Sequence, residues 1–315
     1  MKKLAVVAFG GNALLRSGQK GTIDEQEYNV KETCKSLVEL VKNGYDLVLG
    51  HGNGPQVGNI LLMNQAGAKV HNLPEMPLDV CGAFTQGFIG YIIEQQFANV
   101  LRQENLKRDI VTLVTQVIVS KEDPAFANPT KPIGPYYSKT DADRIIQETG
   151  SVFAEDPKGN GWRKVVASPV PVEINNWQIV EKLAREGKIV VTVGGGGIPV
   201  FEIRPNEMQG IDAVIDKDLA SAMLAIQIKA DEFYILTDVP KVCLHFNTPN
   251  EKRLDVVTVE EAYQYLAEGH FKEGSMAPKI RAAIKFVENG GKETIITEAS
   301  QLGNPEAGTK IVLNK

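Results

Sequence analysis

Three glycine clusters follow apolar runs in this sequence. The clusters occupy residues 10–11, 50–54 and 194–197, and the runs before them are rich in Val, Leu and Ile. Buried parallel strands have this composition, and open α/β sheets bind ligands at the carboxyl ends of such strands. Glycine lets backbone N–H groups approach an anion closely, and Asn12 and Asn53 add further donors. One cluster alone is equally well explained as a tight turn, but three together predict a phosphate-binding site.

Three lysines stand in settings where a cation could meet such an anion. Lys131 has prolines on both sides that hold its backbone extended, Lys217 lies between Asp216 and Asp218 at the start of a predicted helix, and Lys279 begins another predicted helix. A lone lysine is usually a solvated surface group. A helix start disfavours a cation unless an anion binds there, so we weigh the anion-binding and surface interpretations of the last two lysines equally.

Alternating helix and strand patterns surround these residues. A capping box at 22–25 begins a helix that ends near Gly44, and a strand, a glycine loop and a helix recur over 46–66. Further helices are predicted near 78–103, 177–186, 217–229, 258–268 and 278–289, and further strands near 4–9, 110–119, 189–193, 233–236, 293–297 and 309–313. This alternation predicts an α/β protein.

Two segments differ from the rest. The helix over 78–103 carries large apolar side chains on more than one face, which indicates deep burial or a subunit interface. Residues 120–168 are rich in Pro, Gly and charge, which would break any long helix. We therefore predict a small subdomain inserted at 120–168.

Composition excludes several classes of protein. A chain of 315 residues is long enough for one large α/β domain with an insertion or two lobes. The net charge of −5 argues against nucleic-acid and membrane-surface partners, which both require a basic patch. The first apolar run is too short for a secretory signal, and no segment approaches the roughly 18 apolar residues of a membrane span. We expect a cytoplasmic protein.

Known cofactor and metal motifs are missing from the sequence. The Walker A pattern, G-x-G-x-x-G and G-x-S-x-G do not occur, which disfavours P-loop, nicotinamide-dependent and acyl-hydrolase chemistry. Cys34, Cys81 and Cys243 form no paired spacing, and the four histidines have no metal-ligand spacing. We predict three buried thiols, no dedicated metal site, and His51 as a loop residue packed among glycines.

Five motifs resemble the amino acid kinase family. They are FGGNA at 9–13, GHGNGPQVG at 50–58, GGGGIP at 194–199, DKDLA at 216–220 and GSMAPK at 274–279, in the family's order and across nearly the whole chain. The resemblance implies a three-layer α/β/α sandwich with a mainly parallel open sheet of about eight strands. It also implies one domain over 1–315, with a carbamate or carbamoyl-phosphate lobe at 1–210, a protruding lid at 120–168 within it, and a nucleotide-binding lobe at 211–315.

The same resemblance implies roles for individual residues. Lys131 would reach in from the lid, Lys217 would contact the transferring phosphoryl group, Asp218 would orient the lysines, and Lys279 would bind the nucleotide's β-phosphate. The residues implied to hold carbamoyl phosphate are Gly10, Gly11, Asn12, Gly52, Asn53 and Gly54. Those implied to bind the nucleotide are Gly194, Gly195, Thr237, Asp238, Val239, Val242, Met276 and Lys279.

The activity implied is ATP formation from ADP and carbamoyl phosphate by a homodimer, in fermentative arginine catabolism. Mg²⁺ would be held largely by the nucleotide phosphates. Relatives such as acetylglutamate kinase carry a lysine two residues before the paired glycines, where this sequence has Ala8. The catalytic cation must then come from Lys131 or Lys217, as in the family members that act on carbamate.

Two alternatives stay open. One is a related kinase that phosphorylates another small acid or a phosphonate, which an assay with alternative acceptors would reveal. The other is a catalytically idle ligand-binding or regulatory member of the fold. The intact lysines argue against the second alternative, although a motif cannot demonstrate turnover.

Overall fold

Helices and strands alternate along the part of the chain that the structure describes, residues 2–16, 18–156, 159–304 and 306–314 of a computed structural model. The helices are α1 (Ile23–Lys42), α2 (Gly54–His71), α3 (Leu78–Gln103), α4 (Lys139–Thr149), α5 (Trp177–Arg185), α6 (Lys217–Gln227), α7 (Val259–Ala267) and α8 (Met276–Glu288). The strands are β1 (Leu4–Phe9), β2 (Asp46–His51), β3 (Ile110–Thr112), β4 (Gln116–Ile118), β5 (Lys131–Tyr137), β6 (Phe153–Glu155), β7 (Trp162–Val166), β8 (Glu173–Ile174), β9 (Ile189–Val191), β10 (Ile198–Arg204), β11 (Glu207–Gly210), β12 (Glu232–Leu236), β13 (Cys243–Leu244), β14 (Lys252–Arg253), β15 (Val256–Thr258), β16 (Glu293–Thr297) and β17 (Thr309–Val312).

Eight strands form the central sheet, in the order β15-β17-β16-β12-β1-β2-β9-β3. The neighbours from β16 to β3 all pair in parallel, whereas β17 runs antiparallel to β16 and pairs in parallel with β15. The predicted mainly parallel open sheet of about eight strands is therefore confirmed. Strands from 1–210 and from 211–315 belong to this one sheet, so backbone hydrogen bonds between strands join the two proposed lobes.

The alternation of side chains along β1 explains the two cores. Leu4, Val6 and Ala8 face a core that also takes buried residues from α5, α6, α7 and α8. The intervening Ala5, Val7 and Phe9 face a second core built with α1 and α3. Because successive side chains of a strand point to opposite faces, one strand with apolar residues throughout supports helices on both sides. The three-layer α/β/α sandwich is confirmed.

The strand expected over 110–119 is two strands in different sheets. β3 is the edge of the central sheet, whereas β4 belongs to a second sheet of order β11-β10-β4-β8. The chain changes sheets between them, where the Leu113 N–H donates to the Val191 carbonyl and the Ile198 N–H donates to the Thr115 carbonyl. A continuous apolar run does not reveal such a change of sheet, because both halves are apolar strands, although β3 is only half-buried and β4 buries one residue. By contrast, the predicted 78–103 helix agrees with the bounds of α3.

The inserted segment 120–168 contains its own antiparallel sheet, β5-β7-β6, with α4 against it. It rests on the main body through a small buried cluster of Val57, Leu78, Cys81, Ile133 and Val166. β5 also approaches α2 closely, at Gly58 and Gly134. No helix in the described part of the chain is both long and apolar enough to cross a membrane.

Candidate active site

The predicted ligand loops meet at one edge of the central sheet. The three glycine clusters lie at the ends of β1, β2 and β9, with Gly50 still inside β2, and the segment 237–242 follows β12. All four therefore lie at the carboxyl ends of neighbouring parallel strands. A cavity of about 250 Å³ opens there. It is lined by nine of the predicted site residues: Gly11, Gly52, Asn53, Gly54, Lys131, Gly195, Lys217, Asp218 and Lys279.

Lys131 enters this cavity from β5 of the inserted segment and forms an ion pair with Asp216. Its Nζ atom lies 2.9 Å from Asp216 Oδ2. The other oxygen of Asp216 caps α6 by accepting the Asp218 N–H at 2.9 Å. Burial opposes the ionisation of Asp216, but the charges of Lys131 and Lys217 outweigh it and lower the pKa of Asp216 to about 2. Asp216 therefore fixes Lys131 relative to α6.

Asp216 is a site residue that sequence reasoning did not assign. Its signal was its place directly before a predicted helix, where an aspartate is a common N-cap. Nothing in the sequence indicated that its second oxygen would bind a lysine 85 positions away.

Asp218 holds the other two lysines. Its Oδ1 atom lies 2.5 Å from Lys217 Nζ, its Oδ2 atom lies 2.9 Å from Lys279 Nζ, and the residue is only 2% exposed. Burial lowers the pKa of Lys217, and the neighbouring positive charge of Lys279 lowers it further, against the attraction of Asp218. Burial also opposes the charge of Lys279, but there Asp218 prevails and raises the pKa. Three lysines and two aspartates leave one excess positive charge for an anion.

The glycine loops have the close approaches that their composition predicts. A side chain at Gly52 would lie 3.3 Å from the Lys217 Cδ atom, so the stem of this lysine crosses the loop directly. Gly195 has a positive φ of 65°, and a Cβ atom there would lie 2.2 Å from the Asn53 amide nitrogen. Glycine is required at position 195 by both its backbone conformation and its neighbour.

Gly194 and Gly195 lie beside the β2 loop and away from the 237–242 segment. β1 and β2 separate their strand, β9, from β12, which corresponds to about 14 Å across the sheet. Gly194 packs against His51, which is the last residue of β2 and not a loop residue. Burial lowers the pKa of His51 to about 4, and its Nδ1 atom lies 2.9 Å from the Gly52 carbonyl oxygen, so a neutral ring supports the loop.

The remaining predicted nucleotide residues lie outside the lining of this cavity. Asp238 is close enough to Lys279 for its charge to help raise the pKa of that lysine. Val242 is fully buried in the core, and its N–H donates to Thr309 Oγ1. Thr237, Val239 and Met276 are half-buried. Of the residues expected to hold carbamoyl phosphate, Gly10 lies directly after β1, and the Asn12 side chain lies outside what the structure describes.

Two helix N-termini at the cavity have no side-chain cap. α2 begins after Asn53 and α8 begins after Ser275, and neither residue's side chain accepts a first-turn N–H. Side chains do cap α1, α4, α6 and α7. Backbone N–H groups at a helix start attract anions when no side chain takes them, so both termini suit phosphate oxygens.

The cavity's carboxylates are poorly suited to a protein-held metal. Among the residues that the structure describes, no group of three or more His, Cys, Asp or Glu side chains could hold a metal ion. Asp216 and Asp218 are each paired with lysine. These residues fit a cation that arrives on nucleotide phosphates better than one bound in a dedicated cage, which stays a prediction.

Comparisons with known proteins agree with this geometry. A family model described as the amino acid kinase family matches residues 3–298. A carbamate kinase of Pyrococcus horikoshii is 49% identical over 94% of this chain and 94% of its own length, and one of Pyrococcus furiosus is 46% identical over 99% and 100%. The solved structure of carbamate kinase from Giardia lamblia bound to AMP-PNP superposes with a TM-score of 0.91, at 43% identity over 99% of this chain and 98% of that one.

Proposed function

The chain belongs to the amino acid kinase family, and we propose that it is a phosphotransferase that moves a phosphoryl group reversibly between carbamoyl phosphate and ADP. The observation that carries the proposal is the convergence of Lys131, Lys217 and Lys279 on two aspartates at the carboxyl edge of the sheet. The similarity of this chain to two carbamate kinases supports the same choice of substrates.

The reaction needs positioning and charge neutralisation more than covalent chemistry by the protein. A β-phosphate oxygen of ADP attacks the phosphorus of carbamoyl phosphate, and the bond from phosphorus to the carbamate oxygen breaks. The products are ATP and carbamate, and the negative charge moves from the attacking oxygen to the leaving one. The lysines and backbone N–H groups would stabilise that charge in the transition state.

Lys217 is placed to act on the moving phosphoryl group. Its stem crosses Gly52 in the proposed carbamoyl-phosphate loop, and its ammonium group is held by Asp218 at 2.5 Å. Asp218 also holds Lys279, which lies in the uncapped first turn of α8. We assign Lys279 to the β-phosphate of the nucleotide, and Asp218 to orienting both lysines.

Lys131 would add a further positive charge to the cavity, and the lid would carry this charge to the phosphoryl group. Asp216 is a positioning residue in this scheme, since it holds Lys131 and the start of α6 with its two oxygens. Gly195 contacts Asn53 and lines the same cavity, so we now group it with the carbamoyl-phosphate loops together with its neighbour Gly194. This replaces the nucleotide role expected for both from the sequence.

The nucleotide would lie on the β12 side of the site. Asp238 is near Lys279 there, and we keep Thr237, Val239 and Met276 as the proposed walls of that pocket. Val242, which the sequence also suggested, is fully buried and would only support these residues from the core. Mg²⁺ bound to the nucleotide phosphates would neutralise part of their charge. Since Asp216 and Asp218 are already paired, we assign no protein ligand to the metal.

We also infer a cytoplasmic homodimer that acts in arginine catabolism. Cys34 and Cys81 are buried thiols, whereas Cys243 is half-buried, so the expectation of three buried thiols is wrong for Cys243. Free thiols are typical of a reducing compartment. The outward face of α3 carries the exposed aromatic side chains of Phe84 and Tyr91, the latter 57% exposed. An exposed aromatic pair on a long helix is typical of an interface, so we place the two-fold contact there.

A coupled assay tests the proposed reaction. The purified chain, supplied with ADP, Mg²⁺ and carbamoyl phosphate, should form ATP that luciferase detects. Lys217→Ala should lower kcat by about 10²-fold or more, the scale of one lost transition-state donor. Lys35→Ala, at an exposed lysine of α1 that pairs with Glu32 and lies outside the lining of the cavity, is the matched control and should keep wild-type kcat.

The outcome also separates the alternatives. ATP-dependent phosphorylation of another small acid, without ATP formation from carbamoyl phosphate, would favour the related-kinase alternative. A folded protein that binds ADP but turns over none of these substrates would favour an idle member of the fold.

A further inference from the structure

Asn53 is a cavity residue whose amide group has a fixed orientation. It lines the cavity, is 7% exposed, and is the N-cap residue of α2. An N-cap asparagine usually uses its side-chain oxygen to accept an N–H from the first turn. Here the side chain makes no such bond, and its Nδ2 atom instead donates to Thr85 Oγ1 at 2.8 Å.

The Thr85 hydroxyl determines which end of the Asn53 amide faces it. Thr85 is fully buried in α3, and its only hydroxyl hydrogen goes to the Gly82 carbonyl oxygen at 2.6 Å. The hydroxyl oxygen can therefore only accept from Asn53, which requires the NH₂ end of that amide. The Oδ1 atom of Asn53 is left at the other end, and no residue in the described part of the chain donates a hydrogen bond to it.

An oxygen acceptor with no protein partner at a substrate cavity is available to a ligand that donates hydrogen bonds. Asn53 was expected from the sequence to act as a donor to phosphate, but one hydrogen of its amide is used inside the protein. We propose that Asn53 Oδ1 accepts a hydrogen bond from the NH₂ group of the carbamoyl or carbamate substrate and so selects carbamoyl phosphate over acyl phosphates that lack it. This inference rests on the proposed function, because it concerns the substrate of that same site.

Acetyl phosphate is the appropriate comparison substrate. It carries a methyl group where carbamoyl phosphate carries NH₂, so the two differ little in size but only one donates a hydrogen bond. The phosphoryl groups are the same, and contacts to Lys131, Lys217 and Lys279 should therefore contribute equally to both. Substitution of a residue that binds the NH₂ group should change the ratio of the two kcat/KM values. Substitution of a residue that only supports the phosphate loop should change both values by the same factor.

The experiment measures kcat/KM of the full chain for both acyl phosphates with saturating ADP. Asn53→Ala should lower the ratio of carbamoyl phosphate to acetyl phosphate by about 10-fold, the scale of one lost hydrogen bond in a buried site. Thr85→Val keeps the shape of the side chain but removes the hydroxyl that orients the amide, and it should lower the ratio in the same direction. Thr85→Ser keeps the hydroxyl and should keep the wild-type ratio.

Several results would overturn the inference. An unchanged ratio in Asn53→Ala, with both kcat/KM values lowered equally, would mean that Asn53 supports only the phosphate loop. A ratio lost as completely in Thr85→Ser as in Thr85→Val would show that packing, and not the hydroxyl, matters at this position. If Thr85→Val does not fold, the ratios of Asn53→Ala and Thr85→Ser still show whether Asn53 distinguishes the two acyl phosphates. Wild-type protein that makes no ATP from carbamoyl phosphate would instead refute the proposed function itself.

Discussion

Gly58→Ala should move the lid and thereby displace Lys131. A Cβ atom at position 58 would lie 2.7 Å from the Gly134 Cα atom and 2.9 Å from its nitrogen, both backbone atoms of β5. Ordinary van der Waals contact begins at 3.4 Å, so β5 must retreat by about 0.7 Å. If β5 moves as a rigid strand and away from Asp216, the 2.9 Å contact of Lys131 with Asp216 lengthens by up to about 0.7 Å, to a maximum of about 3.6 Å, which is beyond hydrogen-bond range.

The expected loss is catalytic more than structural. A misplacement of about 1 Å costs roughly 10²-fold in rate, so kcat for ATP formation should fall between about 10-fold and about 100-fold. The overpacked contact should cost about 1–3 kcal/mol of unfolding free energy, which urea titration measures on the same sample. The decrease in kcat should exceed any decrease in the folded fraction, which remains near one in the assay buffer.

Gly67→Ala is the matched control in the same helix. A Cβ atom there would meet only the Leu73 Cδ1 atom at 3.4 Å, an ordinary contact at a flexible side-chain end. Alanine in a helix interior is favoured over glycine by about 1 kcal/mol, so this variant should be as active as wild type and slightly more stable. Wild-type kcat in Gly58→Ala would refute the reasoning, because the contact between α2 and β5 would then not set the position of Lys131.

Three further predictions concern the charge, the lid and the assembly. Because the pKa of Lys217 is lowered, its ammonium group loses the proton below the usual lysine pKa of 10.5 as pH rises. The value of kcat/KM should therefore begin to fall at alkaline pH below 10.5. A pH profile of kcat/KM that is flat up to 10.5 would contradict the role of this charge. Lys131→Ala should fold normally yet lose most turnover. In the wild-type protein, amide hydrogen exchange in 120–168 should be faster than in β1, and it should slow down when ADP and a carbamoyl phosphate analogue bind. Exchange that equals that of β1 and does not respond to the ligands would exclude a moving lid. Tyr91→Arg should convert the proposed dimer to monomers in light scattering at micromolar concentration while leaving the far-UV circular dichroism unchanged, and a wild-type monomer would exclude this interface.

The sequence by itself predicted the elements and the edge of the sheet where the site lies. Runs such as Leu4–Phe9 are short and apolar at every position, as expected for a strand covered on both faces. The capping box of Thr22 and Glu25 forms as expected, because its hydrogen bonds join residues three apart. Glycine clusters after several strands suffice to predict a common ligand edge, since parallel strands end together.

Only the tertiary structure decided how distant segments meet. Lys131 and Asp216 pair across 85 positions, Gly58 and Gly134 touch between α2 and the lid, and the 110–119 run divides between two sheets. The polarity of the Asn53 amide depends on a hydroxyl of α3 whose own hydrogen is already used. Local patterns depend on backbone preferences over a few residues, whereas these contacts depend on strand order and on how the helices pack, which no single segment encodes.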